Sequence, residues 1–230
     1  MKTNQDYKNA ALAALKGNWA PAVLATVVFF LIAIICILPS QIWALRNPLD
    51  PASVSPAEII DYYKSLLPVS ILATLLYIFV LYPLEVGYDN ACLRLLRNGE
   101  NDLTGNTFRI TLKGYARKAW GMFLMGLFTA LWSMLFVIPG IVKVFSYAMT
   151  PFILEDNPEL SANQAIDRSR AMMKGHKFDL FYLGLSFIGW GLLCILTLGI
   201  GFLWLIPYVQ TSISAFYEDV KAEYEQIAMD

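Results

Sequence analysis

Histidine occurs once in this sequence and cysteine three times, and charge of either sign is scarce. Cys36, Cys92 and Cys194 sit in or beside apolar runs with no paired spacing, which leaves no basis for a disulfide framework or a thiolate metal cluster. Lysine and arginine number 17 against 18 carboxylates, so the net charge of −1 lacks the basic surplus that binding nucleic acid requires. Charged residues make up only 15% of the chain and hydrophobic ones 57%. A soluble domain carries about 25% charge, and these proportions, with a mean hydropathy of +0.53, point to a membrane protein.

The motifs of catalysis are missing as well. There is no nucleophile elbow, no P-loop, no His-Glu-x-x-His and no dinucleotide glycine motif. "LGIGFL" at 198–203 follows no strand and reads as a turn between membrane helices. The residues therefore nominate no catalytic residue, no cofactor and no metal site.

Long uncharged runs are what the chain does have. Gly17–Leu45, Ser65–Leu84 and Ala119–Val142 carry no charge, Val144–Leu154 follows Lys143, and Leu180–Tyr217 is uncharged throughout. A spanning helix takes about 20 mostly apolar residues. "VIPGIV" at 137–142 and "LTLGIG" at 196–201 hold the proline and glycine that end helices, and they divide the two longest stretches. The expectation is one all-α membrane domain over 1–230, with about six transmembrane helices near 19–39, 66–88, 118–137, 141–155, 179–197 and 200–217. The first run is too long and lacks the small residues of a cleavage site, so it reads as a retained helix and not a signal peptide.

With the N-terminus inside, 14 of the 17 basic residues fall on inner segments, against Arg46 and Lys64 outside and Lys143 within a helix. The positive-inside bias places both termini in the cytoplasm. The one sizeable outer segment is then 40–65, which holds Pro48, Pro51, Pro56 and the helical stretch "PAEIIDYYKSL".

A short pattern recurs three times. "ALKGNW" at 14–19, "TLKGYARKAW" at 111–120 and "MMKGHKFDLF" at 172–181 each place Lys-Gly before a membrane helix, and the returning helices carry Pro83, Pro151 and Pro207. The repetition predicts three hairpins. Gly17, Gly114 and Gly175 read as helix-terminating elbows in the left-handed conformation. Before the third elbow, "DNPELSANQAIDRSRAMMKG" reads as an amphipathic helix capped by Asn157, with Pro158 at its first position. Ala162, Ile166, Ser169 and Met173 share one face. "DYKNAALAALKG" repeats the design with Tyr7, Ala11 and Leu15. Such helices can lie in the cytoplasmic interface, which makes Lys16, Lys113, Arg168, Arg170, Lys174 and Lys177 candidate contacts for anionic headgroups. His176, between two lysines, reads as interfacial, and the carboxylates Glu155–Asp156 and Glu218–Asp219 read as solvated helix ends.

The stretch from Met172 to Val220, "MMKGHKFDLFYLGLSFIGWGLLCILTLGIGFLWLIPYVQTSISAFYEDV", resembles the C-terminal signature of the bacterial integral-membrane family known as domain of unknown function 975, and "ALAALKGNW" is similar to that family's beginning. The resemblance implies a polytopic protein of the bacterial inner membrane and carries no reaction with it. Glu85 and Lys143 stand out as a candidate intramembrane polar site, since a charge at mid-bilayer costs on the order of 3 kcal/mol. Glu85 is expected near the inner interface and Lys143 is expected to snorkel outward. The reading favoured is a non-enzymatic protein that associates with the bilayer, anionic headgroups, another membrane protein or a second copy. A small transporter or channel with a polar path near Glu85 is the alternative, and a lipid-modifying enzyme is third. Single-cysteine variants test the orientation: an impermeant thiol reagent is expected to label Ser53 or Ala57 positions in intact cells, and labelling at Asn101 or Asn163 would reverse the topology.

Overall fold

The computed structural model describes residues 2–48, 55–227 and 229. Among them every element is helical and none is a strand. The order is α1 (Asn4–Leu15), α2 (Trp19–Arg46), α3 (Pro56–Leu76), a π-helical segment (Tyr77–Leu81), α4 (Tyr82–Asn98), α5 (Leu103–Leu112), α6 (Tyr115–Leu135), α7 (Val137–Tyr147), α8 (Thr150–Asp156), α9 (Ala162–Met172), α10 (Lys177–Leu185), α11 (Ile188–Leu196) and α12 (Phe202–Ile227).

Five stretches are long and apolar enough to cross a membrane: Trp19–Arg46, Pro56–Asn98, Tyr115–Leu135, Val137–Asp156 and Lys177–Leu196. The sixth expected span, 200–217, lies in α12, which does not meet that measure. Gln210, Thr211, Ser212 and Ser214 dilute it, and the last three are buried against the rest of the protein. The helices also run further than the apolar runs alone suggest. α2 continues through Pro39 to Arg46, and "PAEIIDYYKSL" is the start of α3. Ser55 caps that helix through a reciprocal box with Glu58, and Pro56 supplies a preset first position. What was expected as an outer loop over 40–65 is thus largely helix, and Pro51 and Ser53 lie outside the described residues. Pro56–Asn98 is 43 residues long, about 65 Å at 1.5 Å per residue, against about 30 Å of bilayer hydrocarbon.

Breaks fall where chemistry requires them, though not always where proline and glycine suggest. Between α6 and α7 the chain turns on a single extended residue, Phe136, while Pro139 and Gly140 lie inside the first turn of α7. Pro83 follows the π-helical segment. A proline ring displaces the carbonyl four residues back, here that of Phe79, and the Tyr115 hydroxyl donates to it. Pro151 follows the break at Ala148–Met149, whereas Pro207 sits inside a continuous α12. The expected cap at Asn157 is a correction. Asn157 closes α8, and α9 begins at Ala162 behind Ser161, whose reciprocal box with Gln164 satisfies two amides at once.

Burial is concentrated at one end of the molecule. α1 packs on α12, α5 on α4, and α9 on α8 and α6, so each short helix covers the returning helix of the preceding segment and the first covers the last. Tyr7, Ala11 and Leu15 are sealed in this core at 0–1% exposure, and Ala165, Ile166 and Ser169 of α9 at 0–2%. These amphipathic faces therefore meet protein, because the returning helices offer them an apolar groove that lipid would otherwise fill. α4 and α5 approach so closely that a Cβ on Gly87 would stand 2.3 Å from the Thr107 carbonyl oxygen. The opposite ends of α2, α3, α6 and α11 expose apolar side chains such as Ile35, Leu67, Met134 and Leu192.

Three glycines follow the short helices in the left-handed region: Gly17 at φ 84°, Gly114 at 67° and Gly175 at 97°. An added Cβ meets nothing within 4 Å at any of them, so a substitution there is opposed by backbone sterics alone. Gly175→Val is expected to lower thermal stability in detergent by about 1–2 kcal/mol, the left-handed penalty for a side chain. Gly175→Asn is expected to be milder, since asparagine tolerates that region, and equal losses from the two would remove the conformational argument.

Candidate functional site

The charges nominated from the sequence separate into three places. The first is an internal network where α4, α6, α8 and α12 meet. Asp156 accepts both guanidinium nitrogens of Arg97 at 2.8 and 2.7 Å, Lys221 Nζ at 2.8 Å and the Tyr217 hydroxyl at 2.9 Å. Glu155 accepts Lys118 Nζ at 2.7 Å and Arg94 at 3.1 Å. Arg97 also donates to Glu218 at 2.9 Å. Arg117 donates to the carbonyls of Leu154, Asn157 and Leu160, which closes the end of α8. The side chains of Glu155 and Asp156 are only 12% and 11% exposed, so they are not solvated helix ends; basic residues 37 to 65 positions away reach them. Linear spacing gives no sign of such pairs.

Asp219, beside this network, ties α1 down. It accepts the Tyr7 hydroxyl at 2.6 Å and the Lys2 amide at 2.8 Å. Burial pushes its carboxyl up, but these bonds and the Lys2 charge outweigh burial and hold it below the usual carboxylate range. Burial, reinforced by the Asp219 acceptor, raises the Tyr7 hydroxyl in turn.

The second place is a basic groove of about 430 Å³ between α7, α9 and α10, lined by Lys143, Ser146, Asp167, Arg170, Lys174 and Lys177. Lys143 thus shares a groove with the cations at the end of α9 and the start of α10. α7 is short and α9 crosses it, which brings Lys143 beside Arg170, with its ammonium 4.4 Å from the centre of the Trp132 ring. Arg170 has a paired carboxylate in Asp167 at 2.8 Å, an exposed contact of small worth. Arg168 turns away, toward Glu225 at 3.6 Å and the Tyr224 ring. Lys16 and Lys113 are exposed on the other two elbows.

The third place holds Glu85. With Asp89 it lines a cleft of about 640 Å³ between α4, α6, α7, α10 and α12. Lys143 does not line it, so the two intramembrane candidates form no common site. Asp89 is the residue that the hydropathy pattern misses. It lies beyond the uncharged run, yet it is one helical turn from Glu85 and 7% exposed. An i, i+4 carboxylate spacing is the sequence signal that could have found it.

His176 lies between two carboxylates, with Nδ1 3.5 Å from Asp179 and Nε2 3.3 Å from Glu223. Glu223 comes from α12, so the histidine joins α10 to that helix. Among the described residues no cluster of three or more histidine, cysteine and carboxylate side chains could hold a metal ion.

The fold thus defines an all-helical protein with several helices apolar enough to cross a membrane. Residues 135–224 match the family described as protein of unknown function (DUF975), so the resemblance carried by the C-terminal stretch is shown there. The matched region contains the basic groove and the α12 wall of the cleft, while Glu85 and Asp89 precede it. No curated protein and no solved structure matches the chain.

The depressed Asp219 acid predicts a local acid sensitivity. Its contribution to stability is complete above the unfolded carboxylate value, about 3.9, and is lost as pH falls through the lower folded value. Hydrogen exchange is expected to show α1 amides losing protection in that acid range. Asp219→Asn is expected to weaken α1 protection already at neutral pH and to reduce its further loss in acid, the remainder coming from Asp6 in the capping box of α1.

Proposed function

We propose that this protein is a non-enzymatic, multi-pass protein of the bacterial inner membrane that acts through association with anionic lipid. Its spans are arranged as three hairpins, and its short helices and termini face the cytoplasm. The basic groove is the single observation that carries the reading: four cations, from α7, α9, the turn that follows it and α10, converge on one concavity that contains one carboxylate. Elsewhere near the core end, cations such as Arg94, Arg97 and Lys118 are taken up by carboxylates of the same chain. Lysines and arginines left facing a groove at the end of an apolar helix bundle offer a phosphate headgroup several charge-assisted hydrogen bonds, and each is worth about 1 kcal/mol near an anionic surface. Ser146 adds a hydroxyl, though it donates to Val142 within its own helix.

The reading is tested with purified protein in neutral detergent. Added phosphatidylglycerol is expected to raise the melting temperature more than phosphatidylcholine does. Lys174→Glu is expected to cut that preference at least about fivefold in affinity, the value of one basic contact, without disturbing the elbow at Gly175. Equal stabilisation by the two lipids, or an unchanged preference in a Lys143→Ala/Lys174→Glu double variant, would overturn it.

A further inference from the structure

Glu85 and Asp89 are the anomaly of this molecule. They stand one turn apart on α4 and face one cleft, and like charges at that spacing repel. Among the described residues neither carboxylate takes part in a hydrogen bond or an ion pair, although Asp89 is more than nine-tenths buried. Carboxylates drawn into the protein elsewhere, Glu155, Asp156 and Asp219, all have partners from this chain. Among the described residues no lysine, arginine or histidine lines the cleft. Two cations stand behind its wall: Lys8 lies over the Phe187 ring and donates to the Ser186 carbonyl, and Lys143 lies 5.9 Å from the centre of the Tyr147 ring, on the side of the basic groove. A carboxylate removed from water without a partner is strongly disfavoured as the anion, so the pair is neutralised either by protons or by a cation from outside the chain, and the open cleft beside it admits the second.

The walls indicate its class. A calcium ion takes six to eight oxygens and a zinc ion prefers histidine or cysteine. The cleft lining supplies two carboxylates and the Gln210 amide but no histidine or cysteine, and the hydroxyls of Thr129 and Ser133 donate to carbonyls of their own helix. The remaining surface is mostly aromatic and aliphatic, including Tyr82, Phe145, Phe152 and Phe187. At about 640 Å³ the space matches a drug-sized organic molecule, and ring faces attract organic cations. We propose that this cleft binds an apolar organic cation, a quaternary ammonium or phosphonium with hydrocarbon substituents, whose charge is held by Glu85 and Asp89 and whose body lies against the aromatic wall. The inference is independent of the basic groove.

Equilibrium dialysis of the full chain in lipid nanodiscs with tetraphenylphosphonium tests it, and tetraphenylborate serves as the same shape with the opposite charge. Saturable binding of the phosphonium alone is expected. Asp89→Asn and Glu85→Gln are each expected to weaken binding at least tenfold. Should Asp89→Asn fail to fold, Glu85→Gln, at a half-buried position, decides the matter. Equal uptake of both ions, or unchanged binding in Glu85→Gln, would make the cleft merely apolar and overturn the proposal. Displacement of the phosphonium by millimolar sodium or magnesium would also overturn it, by assigning the carboxylates to a small inorganic ion.

Discussion

Asp156 is the contact on which the core end of the molecule depends. One carboxylate at the end of α8 takes a two-pronged guanidinium from α4 and an ammonium and a phenol from α12. Three helices that return from the apolar half of the protein are thereby joined at one point. Desolvating these charges is expensive, and only the completeness of the bonding offsets it. The adjacent stacking of Phe152 on Tyr217, at 4.8 Å between ring centres, keeps water from the same junction. The short helices α1, α5 and α9 then find preformed grooves around it, which is why their apolar faces are buried in protein.

The charges are sorted by whether this chain satisfies them. Arg94, Arg97, Arg117 and Lys118 look like surface cations in the sequence, but each is spent on an internal acceptor. Lys143, Arg170, Lys174 and Lys177 remain in a groove with one carboxylate among them, and Glu85 and Asp89 remain in a cleft with no cation. A cationic and an anionic concavity thus share α7 and α10 as walls without neutralising one another. The apolar side chains between them, such as Phe145 and Leu180, are the insulation.

Much of the fold was legible because membrane helices announce themselves by length and apolarity, and because a glycine behind a lysine at a helix end has a local physical reason. The helical class and the apolar stretches follow from single runs of residues. Positions of helix ends were less legible. Asn157 and Ser161 are both good caps, and only the partnership of Ser161 with Gln164 decides between them. α2 passes straight through Pro39, so proline within an apolar helix did not mark its end. The sites were the least legible part. Glu85 is conspicuous as a charge after an apolar run, but its pairing with Asp89 and its separation from Lys143 depend on which helices become neighbours. The Asp156 cluster draws on residues up to 65 positions from Asp156 itself, and its Arg97 and Glu218 are 121 positions apart, which no local pattern records.

The closure of α1 onto α12 has a consequence for how the molecule is made. Tyr7 and Asp219 are 212 positions apart, yet they share a hydrogen bond at the centre of the last interface to form. A ribosome adds about 5–20 residues each second. The first helix therefore waits on the order of 10–40 s for its partner after it has left the exit tunnel, while the helices between them are being inserted. During that interval Leu15 can pack beside Ala22, Tyr88, Cys92 and Leu95, but Tyr7 lacks the Phe216 ring and the Asp219 carboxylate that complete its burial. A helix near the start of the chain thus completes its place in the core last, and the fold is closed only when its two ends meet.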